Sequence, residues 1–495
     1  MRLAVLSSAA RTCLFDRRRQ VRALLFTCDS VLQLYRMRDP IPRRTLAIPL
    51  RYQERVDRFK LASRSHVRDY LMSDEVIADA VRVHAEEMGT PLHDAWKRVD
   101  GYIHEIVPFF NVIAYFQIGY HVSGWLLHLF YKTSVDFEDA RAKERLPGDA
   151  VVVYVMNHRS NADYILVSYA LAGQVAISYA VGEWARAFPL ETVFKAFGSY
   201  FIRRRYREPL YHTVLERYVQ LITREGVTQG IFVEGGLTRD GKLRAPKIGL
   251  LDYVLGIGRD AEFARRLHVV PVAVNYDRVL EDRTLLRELD AKSGGKPTPR
   301  TTQAYEVLRY VGSNIARLLT RRWKKYGRAA VVVGAPIPLA SWYADHPDLF
   351  TLDKPERLGQ VQALCDQLLT HVGRLIPVTP VPLVCAALQS FDSEFVSRTD
   401  LFERIDEMRS ALGELNARVL SGDNGPEEIF ARAWRMLKMR HVLVQEGAGY
   451  LVLPRGRPLI SYYANSVAHL LGPFVLAVQA RDALPAMAGL RDVSQ

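Results

Sequence analysis

The chain has 495 residues, of which 49% are hydrophobic and 24% are charged, an ordinary globular balance that excludes a single small core. Its 67 Lys and Arg against 54 Asp and Glu leave a formal net charge of +13. This excess favours an anionic partner, such as nucleic acid, anionic lipid or a phosphorylated substrate, and the charge alone does not choose among them.

Four cysteines are present, and no pair has the short spacing of a zinc site: Cys13, Cys28, Cys365 and Cys385. So few thiols in so long a chain predict a reducing compartment without disulfides. The first twenty residues contain too short an apolar run for a convincing signal peptide. The sequence therefore predicts a cytoplasmic protein, and it shows no metal-binding motif.

Residues 1–135 are predicted to be helical, with a helix start signal at Ser73 and Glu75. Within them the stretch 106–131 lacks Asp, Glu, Lys and Arg, but Pro108 and several polar residues argue against a membrane-spanning helix. Its many aromatic residues favour a helix that lies at a membrane interface. A helical hairpin buried against the next domain is the alternative.

Residues 136–340 alternate short β-branched runs with helical patterns, which is typical of an α/β fold whose sheet carries helices on its faces. The predicted strands are Val151–Met156, Val175–Ala180, Gly230–Glu234, His268–Asn275 and Ala329–Val333. The predicted helices are Tyr164–Leu171, Pro209–Glu225, Leu243–Gly256 and Gln303–Tyr326. Residues 290–302 form a polar Gly/Pro loop, and 341–495 are predicted to be mainly helical with a small hairpin near 441–454.

The polar segment 157–163 follows the first predicted strand directly. In open α/β sheets, ligands bind beyond the carboxyl ends of strands. His158 and Asp163 are out of phase on a regular helix but can meet if His158 lies in the turn and Asp163 in the first helical turn. Ser160 and Asp163 have capping-box spacing. The aspartate would then fix the imidazole tautomer and leave the other nitrogen as a general base; an incidental histidine at a polar helix start is the alternative.

Two later segments place cations after apolar runs. Arg203 opens an arginine-rich stretch, and the strand ending at Glu234 is followed by Gly235, Gly236 and then Arg239. Adjacent glycines allow a ligand to approach the backbone, and guanidinium groups match phosphate oxygens. The spacing is not that of a P-loop. A solvated basic face is the alternative for part of the arginine run.

Together these segments resemble the glycerolipid acyltransferases, in the branch that acylates glycerol 3-phosphate or dihydroxyacetone phosphate. Four blocks occur in the family's order: NHRSNAD, GSYFIRR, FVEGGLTR and VVPVAVNYDRVLE. The later segments VVVGAPIPL and LISYYANSVAHLL are also similar to this branch, so that the resemblance covers about residues 70–475. It implies a central mixed sheet flanked by helices.

The resemblance also implies roles for individual residues. His158 is the expected general base and Asp163 the residue that orients it. Substrate binding is expected of seven residues at matching block positions, with the phosphate held by the two arginines: Gly198, Arg203, Glu234, Gly235, Arg239, Lys247 and Pro271. No metal is expected, and backbone N–H groups near 157–161 are the candidate donors to the oxyanion.

The expected reaction transfers a fatty acyl chain from acyl-CoA or an acylated carrier protein to the sn-1 hydroxyl of glycerol 3-phosphate, giving lysophosphatidic acid without a cofactor. The expected location is the cytoplasmic side of the cell membrane, on an anionic surface, with no nucleic-acid partner. Leu237 stands where many members have Arg. This departure keeps dihydroxyacetone phosphate or another lysolipid open as the acceptor, as well as a catalytically weak lipid-binding homologue.

Overall fold

A computed structural model describes most of the chain after the first 62 residues, and the described residues belong to one compact unit, Glu54–Gln495. They are residues 63–110, 119–141, 146–171, 176–182, 190–203, 206–292, 325–420 and 425–475. Most of the predicted helix Gln303–Tyr326, most of the loop 290–302 and the middle of the stretch 106–131 lie outside them. The predicted domain boundaries stay predictions.

Eleven strands occur in the described residues. They are β1 Lys132–Phe137, β2 Val151–Met156, β3 Ser178–Gly182, β4 Tyr200–Ile202, β5 Gln229–Phe232, β6 Leu267–Tyr276, β7 Arg328–Val333, β8 Ile337–Pro338, β9 Phe395–Ser397, β10 Leu443–Glu446 and β11 Gly449–Val452. The first eight form one sheet in the order β1-β7-β6-β2-β5-β3-β4, with β8 beside β6. β6 is antiparallel to β7 and β8, and all other neighbours are parallel. The predicted mixed sheet is therefore confirmed.

The five predicted strands all exist, and β2 has the predicted bounds. Three strands of the sheet were missed: β1, β4 and β8. Two of them have only two or three residues, and β1 is a half-exposed edge strand with polar residues. Such segments lack the apolar run by which a buried strand is recognised. The predicted C-terminal hairpin is confirmed as β10 and β11, and β9 adds a third strand to it.

Helices cover both faces of the central sheet. They are α1 Arg64–Met72, α2 Glu75–Met88, α3 Leu92–Ile106, α4 Tyr120–Phe130, α5 Asp163–Leu171, α6 Leu190–Ala196, α7 Pro209–Arg224, α8 Gly249–Leu255, α9 Ala261–Arg266, α10 Asp282–Lys292, α11 Ala340–Asp345, α12 Lys354–Leu375, α13 Pro380–Gln389, α14 Arg398–Glu414, α15 Pro426–Met439 and α16 Arg457–Asn465. Within the described part of the chain, no helix has the length and apolar character that a membrane crossing needs.

The core has two parts because side chains alternate across β2, which is buried throughout. Val152, Tyr154 and Met156 belong to what we call the first cluster, which includes residues of α4, α5, α10 and α13–α16. Val151, Val153 and Val155 belong to the second cluster, which includes residues of α1–α3, α7, α8 and α12. Any side chain near the sheet can thus be assigned to a face by the cluster it contacts.

Two predicted helix starts are corrected by local hydrogen bonds. The N-cap of α2 is Asp74, whose carboxylate accepts from the N–H groups of Val76 and Ile77, whereas Ser73 caps the end of α1. The helix predicted from Leu243 begins only at Gly249. The reason is that the Lys247 N–H donates to the carbonyl of Val233, whereas in a helix that began at Leu243 it would donate to the carbonyl of Leu243.

Candidate active site

The polar turn after β2 brings His158 and Asp163 together, as the sequence predicts. Asp163 is the first residue of α5, and its Oδ2 atom lies 2.9 Å from Nδ1 of His158. The same oxygen accepts the backbone N–H groups of Arg159 at 2.7 Å and Ser160 at 3.0 Å. The bond from Ser160 is one half of the predicted capping box. The helix start therefore fixes the carboxylate that faces the imidazole.

The imidazole is held in one orientation and one tautomer. Because a carboxylate can only accept, Nδ1 of His158 carries the proton and Nε2 is left as a base. The ring stacks on Phe232 with centroids 4.1 Å apart and meets Tyr164 edge-on at 5.5 Å. His158 is only 1% exposed. A reacting hydroxyl can therefore reach Nε2 only if covering side chains move.

Glu234 ties the turn to the loop that follows β5. One carboxylate oxygen accepts the N–H of His158 at 2.8 Å, and the other accepts the N–H of Arg244 at 2.9 Å. Thr238 donates its backbone N–H to the carbonyl of His158 at 3.3 Å. Glu234 is fully buried, and burial raises its pKa above the ordinary value. These contacts indicate a structural part for Glu234.

Glu281 supports the other end of the turn, and sequence reasoning missed it. Its carboxylate accepts the Ser160 hydroxyl at 2.7 Å and the Asn161 N–H at 3.0 Å. Burial raises the pKa of Glu281. The side-chain amide of Asn157 also holds the turn, because it both donates to and accepts from the backbone of Val274 in β6. Asn157 lies in the first sequence block of the family resemblance and Glu281 in the fourth, and this position was the signal by which both could have been found.

The backbone N–H groups of residues 158–161 all donate to carboxylates, namely those of Glu234, Asp163 and Glu281. The family resemblance suggested N–H groups near 157–161 as donors to an oxyanion. In this structure the four groups are engaged in holding the turn. Donors to an oxyanion must therefore come from elsewhere, since a donated N–H group cannot be offered to the substrate without breaking the turn.

Arg239 lies on the His158 side of the sheet, one residue after the backbone contact made by Thr238. Its Nε atom donates to Glu288 of α10 at 2.8 Å, and the two side chains are 33% and 47% exposed. Its neighbour Leu237 packs against the first cluster, to which Tyr164 and Phe232 also belong. The structure thus places a solvent-accessible guanidinium in the loop that binds the His158 turn, on the same face of the sheet.

Gly235 and Lys247 form a second contact in this loop. Gly235 has φ +65°, and a Cβ atom there would lie 2.7 Å from Cδ of Lys247. The backbone N–H of Lys247 donates to the carbonyl of Val233 at 2.7 Å. Lys247 itself is exposed to solvent. Glycine therefore suits both the left-handed backbone and the lysine stem that crosses it. The ammonium group is placed where solvent and solutes can reach it.

Arg203 is bound on the other face of the sheet. Its guanidinium forms a bidentate pair with Glu105 of α3, and its carbon Cζ lies 4.6 Å from the ring centroid of Tyr206. The rings of Tyr102 and Tyr211, which belong to the second cluster, are each 5.6 Å away. The hydrogen bond with Glu105 raises the pKa of Arg203. The structure does not bring this guanidinium to His158.

For two further predicted residues, the contacts in the structure are with groups other than the imidazole. Gly198, just before β4, has φ +78°, and a Cβ atom there would approach the ring of Phe110 to 2.9 Å. Pro271 is buried in the middle of β6, opposite Val155, and its carbonyl accepts the N–H of Gly334. Both positions shape the backbone. Their predicted part in substrate binding stays a prediction.

Residues of the C-terminal segment contact both the His158 turn and the loop after β5. Arg159 is 2% exposed, and its guanidinium donates to the carbonyls of Gly241 and Ser466. Asn465 donates to the carbonyl of Asp240 at 2.8 Å. A Cβ atom at Gly241 would collide with the carbonyl of Tyr462. Residues near the end of the described chain are therefore part of the architecture around His158. Across the described ranges, no group of three or more His, Cys, Asp or Glu side chains could hold a metal ion.

Comparison with known proteins gives two family matches. Residues 139–275 match the model described as acyltransferase, and residues 313–480 match the glycerol-3-phosphate acyltransferase C-terminal region. A curated relative named glycerol-3-phosphate acyltransferase, from Aeromonas hydrophila, is 28% identical over 426 residues, which are 83% of this chain and 50% of that protein. Relatives of the same name from Actinobacillus succinogenes and Xylella fastidiosa are 26% and 28% identical over 83% of this chain. The chain spans about half the length of the curated relatives it matches.

Proposed function

We propose that this chain transfers a fatty acyl chain from an acyl thioester to the sn-1 hydroxyl of glycerol 3-phosphate, giving lysophosphatidic acid. The matches to the acyltransferase model and to the glycerol-3-phosphate acyltransferase C-terminal model support this proposal. The observation that carries the proposal is the contact between His158 and Asp163 beside the loop of Arg239. A phosphorylated alcohol can react at such a site because the fixed base takes its hydroxyl proton and the accessible cation binds its phosphate.

The transfer step needs no covalent acyl-enzyme. Nε2 of His158 takes the hydroxyl proton while the substrate oxygen attacks the thioester carbonyl, forming the new C–O bond. The tetrahedral intermediate then expels the thiolate by breaking the C–S bond, and the imidazolium returns the proton to sulfur. Asp163 stabilises the imidazolium in between through the contact at Nδ1. A positioned base of this kind contributes roughly 10²- to 10⁴-fold in rate.

Arg239 is the favoured anchor for the phosphate. Its pair with Glu288 is exposed and has one hydrogen bond. An exposed ion pair contributes about 0–1 kcal/mol, so a phosphate can replace the carboxylate at little cost. The bidentate Glu105 and the aromatic rings around Arg203 make the same exchange far more costly there. Lys247 is a second candidate because its residue is exposed in the same loop.

The acceptor has a second candidate, dihydroxyacetone phosphate or another lysolipid, because Leu237 replaces a cation that many family members have. In this structure Leu237 packs against the first cluster. The local cationic charge must then come from Arg239 and the exposed residues Lys242 and Lys247. Because the two phosphorylated acceptors carry the same phosphate, cations that bind it do not distinguish one from the other.

A membrane surface on the cytoplasmic side is the proposed location, through α4. This helix contains no Asp, Glu, Lys or Arg, and it exposes Val122 at 47% and Trp125 at 61%. Gly124 on the same helix packs against Tyr169 of α5, the helix that starts at Asp163. Cosedimentation with anionic vesicles tests this location. Wild-type protein that stays in the supernatant, or a Trp125→Ala variant that binds equally well, argues against it.

The proposed function is tested with a radiolabelled acyl-CoA or acylated carrier protein, offered with glycerol 3-phosphate and dihydroxyacetone phosphate in parallel. We expect wild-type protein to label one acceptor, and His158→Ala to lose at least about 10²-fold of that rate with its fold intact. His93→Ala is the matched control, since His93 is an exposed histidine on α3. Full turnover by His158→Ala would refute the base assignment, and absence of transfer by wild type to either acceptor would refute the function.

A further inference from the structure

Asp163 receives a fourth hydrogen bond, from Tyr276 at the end of β6. The Tyr276 hydroxyl lies 2.6 Å from Oδ1 of Asp163, whereas His158 and the turn N–H groups bind Oδ2. We propose that Tyr276 is a positioning residue for the base, because it fixes the Asp163 carboxylate and limits how strongly that carboxylate attracts the imidazole proton. This inference rests on the proposed function and adds a residue to its machinery.

The backbone of Tyr276 is placed by the register of the sheet. Met156, the last residue of β2, pairs with Val272, so β6 extends four residues beyond it and ends at Tyr276 over the turn. Tyr276 itself pairs with Ala329 of β7. Because Tyr276 is held by its pairing with β7 and by close packing, its hydroxyl has little freedom to leave Asp163.

Burial fixes the direction of the hydrogen bond. Tyr276 is 0% exposed, and burial raises the pKa of its hydroxyl well above the ordinary value. The hydroxyl therefore keeps its proton, and it donates to the carboxylate. A donated hydrogen bond withdraws charge from Asp163 and makes the carboxylate a weaker partner for an imidazolium. Removing the Tyr276 hydroxyl should therefore strengthen the attraction between Asp163 and the imidazolium. It should also leave the Asp163 carboxylate less firmly oriented.

Other ionisable groups surround the pair and must be held constant in any test. Three tyrosines, three acids and one arginine lie on the elements packed around it or interact with it electrostatically: Tyr131, Tyr164, Tyr462, Glu234, Glu281, Asp282 and Arg159. Tyr131 is the most useful of them as a control. Its ring centroid is 5.4 Å from that of Tyr276, it is equally buried, and its hydroxyl donates to the carbonyl of Arg278 rather than to Asp163.

The experiment compares Tyr276→Phe with Tyr131→Phe in the full chain. Each variant loses one buried hydroxyl and keeps its ring. For Tyr276→Phe we expect kcat to fall about tenfold, with little change in either KM, because a hydrogen bond to a charged group is lost. The acidic limb of the pH–rate profile should move to higher pH, since the carboxylate then stabilises the imidazolium more strongly. Tyr131→Phe should match the wild type in its pH profile.

A second measurement does not depend on turnover. In protein carrying ¹³C-labelled histidine, the His158 signal is assigned by its absence from His158→Ala, and its titration is followed by NMR. Its midpoint should move to higher pH in Tyr276→Phe and stay in place in Tyr131→Phe. Identical midpoints and pH profiles in the two variants would overturn the inference. If wild type transfers no acyl group, the proposed function fails, and the titration still decides whether Tyr276 acts on the pair.

Discussion

The segments that follow β2 and β5 differ sharply from the segment that follows β4, although all three leave the same edge of the sheet. The first two are joined by Glu234 and by the bond from Thr238 to His158. The third is joined to α3 on the other face, through the pair of Arg203 with Glu105. Strand ends that share an edge therefore do not all contribute to one crevice.

The two arginines show what this difference means for binding. Arg239 has one hydrogen bond to an exposed carboxylate, whereas Arg203 has a bidentate partner that is 16% exposed and three aromatic rings around it. A ligand can exchange with a weak, solvent-exposed partner at small cost, but not with a buried one. Arg239 is thus a cation that a solute can reach, whereas Arg203 is held by its partners within the fold.

The largest effect is expected at Arg239. Arg239→Ala should raise KM for the phosphorylated acceptor about 10- to 100-fold and leave KM for the acyl thioester nearly unchanged, because a charge-assisted hydrogen bond is lost. Glu288→Gln is the matched partner variant. It should keep or lower the acceptor KM, since the carboxylate that competes with phosphate is gone. Equal changes in both substrates' KM for Arg239→Ala would show that the anchor lies elsewhere.

Arg203→Ala should act on stability instead. The variant leaves the Glu105 carboxylate without its bidentate partner, so the free energy of unfolding should fall by about 2 kcal/mol, measured with urea. The acceptor KM of the folded variant should stay close to that of wild type. A large rise in that KM with unchanged stability would break the comparison and restore the phosphate-binding role that the family resemblance implies.

The smallest effect is expected at Glu234, as a pH dependence. Glu234→Gln can accept only one of the two N–H groups, so it should cost about 1 kcal/mol of stability. Because burial raises the pKa of Glu234 above 4.5, the folded state holds the proton to higher pH than the unfolded state. The stability advantage of wild type over Glu234→Gln should therefore shrink as pH rises above 4.5, until the raised pKa is passed.

Urea unfolding of both proteins at a series of pH values measures that difference. Glu281 is present in both proteins, so its contribution cancels when the unfolding free energy of Glu234→Gln is subtracted from that of wild type. The difference therefore reports on Glu234. An advantage that grows with pH over the same interval would mean that the hydrogen bonds to Glu234 outweigh its burial.

The local features of the site could be predicted from the sequence. The order of strand, polar turn and helix at 151–171 follows from a β-branched run and an apolar helical pattern, and the capping spacing of Ser160 and Asp163 brings the carboxylate to His158. The loop with adjacent glycines after β5 and the alternation of strands with helices are also as the sequence predicts. These features depend on backbone dihedrals and on neighbours within a few residues, which a short stretch of sequence specifies.

Tertiary structure alone decided which distant groups meet. Tyr276 and Glu281 reach the turn because β6 lies beside β2 and extends beyond it, and Arg203 turns away because α3 offers Glu105 on the opposite face. The C-terminal segment reaches Arg159 across some 300 residues of chain, by packing rather than by any local pattern. Strand order, register and the face taken by an edge side chain result from burying apolar surface over the whole chain, which no single segment encodes.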